Sequence, residues 1–234
     1  MPTSPPHAIA LAGMLAAATR NSPRITEIQG AVRIEIDLPQ ELSGLIRSIV
    51  LTTLGAADRY GHDYTADGDA VWAEIDRKAT AVTDIDSLPP SEPGSGASAP
   101  SGCAPPMSED VHDRTIVLDL LAFPKALPAL RHTLREHLGR PCTDVLLCVS
   151  ELFSNVVRHL GEGTPVTVRV KGTHDGRTRI EVTDPDPRAL PVLLHAATND
   201  ESGRGLALLD AVALRWGVAQ GPESKTVWCE VEGG

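Results

Sequence analysis

The sequence predicts an α+β fold: a two-layer sandwich whose mixed, mainly antiparallel sheet carries helices on one face, preceded by a small, mostly helical N-terminal region. Three observations predict it. Val166, Val168 and Val170 alternate as a half-buried strand does, and His174-Asp175-Gly176 turns the chain into a partner over Arg179 to Thr183. Two helical runs, from about Ala126 to Leu138 and from after Pro141 to about Leu160, each stop at a glycine, Gly139 and Gly161. Residues 87–111 are dominated by Ser, Pro, Gly and Ala, a composition that buries too little apolar surface to offset the entropy of ordering it. That stretch reads as a linker between an N-terminal region, residues 1–86, and a domain over residues 112–234.

The apolar run from Ala8 to Ala18 is as long as a signal-peptide core. It lacks a basic flank, since the first basic residue is Arg20, and it is too short to cross a bilayer. A short helix or a frayed terminus is expected there. Val32 to Asp37 reads as a strand, and Leu42, Leu45, Ile46, Ile49, Val50 and Leu54 follow at helical spacing up to Gly55. A second short helix is expected from Asp69 to Lys78. His62, Asp63, Asp67 and Asp69 cluster, but the calcium-loop spacing is missing, so a solvated acidic turn is expected. Beyond the linker a strand is predicted over Thr115 to Leu121, then the two helices and the paired strands already named. An irregular stretch from Asp184 to Ser202 leads to a helix opened by Gly203-Arg204-Gly205, and Trp216 to Ala219 and Lys225 to Val231 complete the sheet.

Composition narrows the function. The 234 residues carry a net charge of −10, concentrated before the linker, and no Lys/Arg cluster offers the footprint that phosphate-backbone binding needs, so no direct nucleic-acid partner is expected. Cys103, Cys142, Cys148 and Cys229 are too few and too irregular for a disulfide framework or a paired zinc site. Reduced thiols in a cytoplasmic protein are the simplest reading, with no membrane partner.

Chemistry concentrates in Ser150-Glu151-Leu152-Phe153-Ser154-Asn155-Val156-Val157-Arg158-His159. On a helix, Glu151, Asn155 and His159 fall at i, i+4 and i+8, one polar stripe. A carboxylate and an amide oxygen one turn apart suit a proton acceptor and a hard cation such as Mg²⁺. An exposed polar helix face is the alternative that spacing alone leaves open.

The segment resembles the N-box, E-L-x-x-N-A-x-x-H, of the Bergerat-fold (GHKL-type) ATPases and kinases, matching at Glu151, Leu152, Asn155 and His159. Downstream, Val182-Thr183-Asp184 resembles the strand end of the G1 box, Gly203-Arg204-Gly205-Leu206 the G2 box, and Lys225-Thr226-Val227-Trp228 the last strand. Within the superfamily, the short length, Ser-Glu-Leu before the Asn and the terminal Thr-Val-Trp look most like the anti-sigma-factor serine/threonine kinases. The resemblance covers residues 114–232. It implies ATP and Mg²⁺ as cofactors, Glu151 as catalytic base and Asn155 as metal ligand. Asp184 would be the adenine anchor, helped by Thr226, with Gly203, Arg204 and Gly205 at the phosphates. It further implies a cytoplasmic regulator that binds a sigma factor and phosphorylates a serine of an antagonist protein, and it leaves the family's homodimer open. The G1 box departs from the usual D-x-G-x-G: Asp184-Pro185-Asp186-Pro187-Arg188 keeps neither glycine, removes backbone donors and adds a negative charge. A non-catalytic interaction module that has lost nucleotide turnover is therefore the alternative.

Overall fold

A computed structural model describes residues 6–40, 42–65, 68–77, 115–139, 142–187 and 212–233. Four helices, α1 (Pro6–Thr19), α2 (Gly44–Leu54), α3 (Leu127–Leu138) and α4 (Thr143–Leu160), accompany nine strands. These are β1 (Arg24–Ile28), β2 (Ala31–Asp37), β3 (Arg59–Thr65), β4 (Gly68–Asp76), β5 (Ile116–Leu121), β6 (Pro165–Gly172), β7 (Thr178–Asp184), β8 (Arg215–Gln220) and β9 (Lys225–Val231). They form one sheet in the order β1-β2-β4-β3-β8-β9-β7-β6-β5, antiparallel at every junction. No described helix is long and apolar enough to cross a membrane.

Local chemistry accounts for the helix limits. Ser43 Oγ accepts the Ile46 N–H at the start of α2. Gly139 ends α3 at φ +61°, a conformation that costs a glycine nothing. Along the strands, register places Val168, Val182, Val218, Tyr60, Ala73 and Ile34 in one row on one face. All are buried, and they share one core with Leu11 and Leu15 of α1, Leu54 of α2, Leu134 of α3 and Val149, Leu152 and Phe153 of α4. Every described helix therefore covers the same face, as the two-layer prediction requires.

The N-terminal region departs from its predicted elements. Asp69 to Asp76 is strand, not helix: Val71, Ala73 and Ile75 alternate into the core, and β2 and β3 satisfy the backbone on both sides. The expected acidic turn is largely strand as well, with His62 and Asp63 on β3 and Asp69 on β4; Asp67 lies outside the described residues. The proposed linker, the Gly203-Arg204-Gly205 segment and the helix it opens also lie outside them, apart from Val212.

The face opposite the described helices reveals a repeat. Arg33-Ile34-Glu35-Ile36 on β2 corresponds to Arg179-Ile180-Glu181-Val182 on β7. Arg59-x-Gly61 and Val71-Trp72-x-Glu74 on β3 and β4 correspond to Arg215-x-Gly217 and Val227-Trp228-x-Glu230 on β8 and β9, with the same 15-residue step from Arg to Glu. Glu74 accepts from Arg33 and Arg59 at 2.9 and 2.8 Å, and Glu230 from Arg179 and Arg215 at 3.0 and 2.6 Å. Strand orders β1-β2-β4-β3 and β6-β7-β9-β8 mirror each other across the β3–β8 junction. There Gly61 sits opposite Gly217, each under the indole of its own hairpin partner, Trp72 and Trp228. The two indoles stack at 6.2 Å and 26°, and Arg33 and Arg179 lie over them at 4.5 and 3.8 Å. Only glycines admit this approach: a Cβ on either would come within 2.6 Å of a ring carbon.

Candidate functional site

Helix α4 presents three faces. Val145, Val149, Leu152 and Val156 are buried in the core where the helix packs on β7 and β9. Ser150 is fastened on the α3 side: its Oγ accepts the Arg131 Nε–H at 2.7 Å and donates to the Leu146 carbonyl. The Ser of Ser-Glu-Leu is thus a helix-to-helix tie. Glu151, Asn155 and His159 form the third face at the border of the buried arc, so the predicted stripe is neither core nor fully solvated.

Asn155 is the telling member. Its Nδ2 is shielded from solvent and has no hydrogen-bond partner among the described residues, an arrangement that costs stability unless a ligand completes it. One turn further on, burial and then the charges of Arg158 and Lys225 hold the His159 imidazole below its usual range, which ties the end of α4 to the start of β9.

Across from the helix end, Asp184 closes β7. It is 4% exposed; Oδ1 accepts the Asp186 N–H at 3.0 Å, and Oδ2 lies 3.3 Å from Lys225 Nζ. Burial pushes its pKa up, opposed by the Asp186 N–H and Lys225. Lys225, not Thr226, is Asp184's partner in register and on the helix-covered face. Alternation along β9 sends Thr226 to the other face, where its hydroxyl pairs with that of Thr183 at 2.8 Å. Lys225 went unnoticed because the β7–β9 register joins residues far apart in the chain. Gly203, Arg204 and Gly205 lie outside the described residues.

The donor set suits the cofactors the resemblance implies. An orphaned amide on α4, a carboxylate one turn before it and a buried carboxylate at the end of a neighbouring strand are groups that ATP and Mg²⁺ engage. Pro185 and Pro187 supply no backbone N–H, so phosphate contacts must come from elsewhere.

The described helices cover one face of the sheet, and the Asn-bearing helix α4 packs beside a strand that ends in a buried Asp. Residues 120–230 match the histidine kinase-like ATPase domain family, and this segment resembles the GHKL-type ATPases, which bind ATP, usually with Mg²⁺. The chain is 52% identical to an uncharacterized protein of Streptomyces coelicolor over 86 residues, 36% of this chain and 82% of that protein. The RsbU and RsbW domains of Rv1364c from Mycobacterium tuberculosis align at 16% identity with a TM-score of 0.38, covering 86% of this chain and 51% of that one.

Proposed function

We propose that the protein is an ATP-dependent regulator of the anti-sigma-factor kinase type. In this reading it binds a sigma factor and phosphorylates a serine of an antagonist protein in the cytoplasm. Asn155, whose Nδ2 has no hydrogen-bond partner among the described residues, lies one turn from Glu151 on the helix beside the strand that ends in Asp184, and this placement carries the reading. Glu151 takes the proton of the attacking serine hydroxyl, Asn155 holds the metal through its amide oxygen, and Asp184 accepts from the adenine amino group. Bound ATP with Mg²⁺ supplies the phosphoryl group and neutralises its charge. Gly203, Arg204 and Gly205 are assigned to the phosphates. The division into residues 1–86, a linker over 87–111 and a kinase-like domain over 112–234 belongs to the same proposal. Because β3 already occupies the β8 edge, a homodimer would use another surface.

The test is transfer. Wild type is expected to pass the γ-phosphate of ATP to a serine-bearing antagonist, and Asn155→Ala to lose at least about a hundredfold, the scale of one preorganised charge-stabilising contact. Equal transfer by both proteins would remove Asn155 from the site.

The Asp184–Lys225 pair and the two prolines favour a second reading, an interaction module without turnover. A ligand selective for the folded state must stabilise it, so no thermal shift with millimolar ATP and Mg²⁺ would establish the module.

A further inference from the structure

Counting from the repeated Arg-Ile-Glu, Leu38 stands in the N-terminal half where Asp184 stands in the C-terminal half; counting from the repeated hairpins, Asp69 stands where Lys225 does. The two are paired in the same way, with the Leu38 N–H donating to the Asp69 carbonyl at 2.7 Å. At this place, between the sheet and α2, lies a cavity of about 210 Å³. Leu38, Val50, Leu51 and Val71 make it mostly apolar, Arg47 brings a guanidinium to its lining, and Leu38 removes the carboxylate that an adenine amino group requires.

One polar group is left over inside. The His62 side chain is 8% exposed and lines the cavity, and its Nε2 has no hydrogen-bond partner among the described residues. Asp69, half exposed, holds a carboxylate oxygen 3.9 Å from that nitrogen, too far for a hydrogen bond yet near enough for one atom to bridge them. A hydroxyl is the head group that satisfies both at once. It accepts from an imidazole N–H while donating to the carboxylate, or donates to the bare imidazole nitrogen if the other tautomer is present. Burial keeps the ring neutral, with a pKa near 4. The other half contributes as well: Trp216 of β8, paired with His62 across the β3–β8 junction, lines the cavity.

We infer that this cavity, the counterpart of the nucleotide site in the N-terminal half, binds a small, mostly apolar alcohol or phenol whose hydroxyl bridges His62 and Asp69. Its volume, below the roughly 300 Å³ where drug-sized sites begin, suits a fragment of about ten non-hydrogen atoms. The site is separate from Asn155 and Asp184 and does not depend on ATP being bound or turned over.

The test titrates the full chain, with its histidines labelled for NMR, with p-cresol and with toluene, a near-isostere lacking the hydroxyl. The expected result is a shift of the His62 ring signals by p-cresol and about tenfold weaker binding of toluene, one hydrogen bond's worth. His62→Phe is expected to erase that preference. Leu42→Trp, in the cavity lining, is expected to block both probes and serves where His62→Phe does not fold. Equal affinity for the two probes in wild type, or no His62 response at millimolar p-cresol, overturns the proposal. So does displacement of p-cresol by ATP, which would make this a nucleotide site. Loss of ATP binding in Asn155→Ala leaves it standing.

Discussion

His62 makes stability depend on pH in one direction. In the unfolded chain its imidazole titrates near 6.5, whereas in the fold burial and the Arg47 charge lower its pKa to about 4, with Asp69 opposing. Between those values the unfolded state takes up a proton that the folded state refuses, so stability present above about pH 6.5 is lost as pH falls toward 4. The expected loss at pH 5 is about 2 kcal/mol. Urea unfolding of wild type and His62→Phe at pH 7 and 5 checks it: on acidification wild type should lose about 2 kcal/mol more than the variant. Asp184 works the other way, because its raised pKa lets the folded state keep a proton longest, and comparison with the variant isolates His62. Asp184 and Lys225 also show where reading a sequence stops. Glu151 and Asn155 were legible because four residues along one helix fix their shared face, while the lysine facing Asp184 sits on a strand 41 positions downstream whose pairing no local pattern encodes.

At the scale of elements, the β3–β8 junction depends on two missing side chains. A Cβ at Gly61 would run into the Trp216 carbonyl oxygen and reach 2.6 Å from the Trp72 ring, so Gly61→Ala must shift backbone as well as side chain. The expected cost is about 3 kcal/mol, the upper end for overpacking, read as a lower urea midpoint. Gly13→Ala, whose Cβ meets nothing within 4 Å and which lies in α1, should cost nothing or stabilise. The helices α2, α3 and α4 were legible from periodicity and their terminal glycines. Strands β3 and β4 were not, because Asp63, Asp67 and Asp69 suggested solvent, whereas Arg33 and the Trp72 indole give Asp63 partners in the sheet. The repeated Arg-x-Gly and Val-Trp-x-Glu were also present in the sequence, but their meaning depends on a strand order that brings both hairpins together.

For the whole molecule, the continuous sheet and shared core predict one cooperative unit despite a chain that reads as two regions. Unfolding followed by tryptophan fluorescence and by far-ultraviolet circular dichroism should give coincident urea transitions, since neither half can leave without exposing the other's edge strand. Two separated transitions would mean that the junction contributes little. Trp72 and Trp228, one indole from each half, add an optical consequence. Two aromatic chromophores this close couple their electronic transitions and split the dichroic band into a couplet of opposite signs. Intact protein should carry that couplet and single-indole variants should lack it, so the molecule has a built-in spectroscopic gauge of whether its halves are joined.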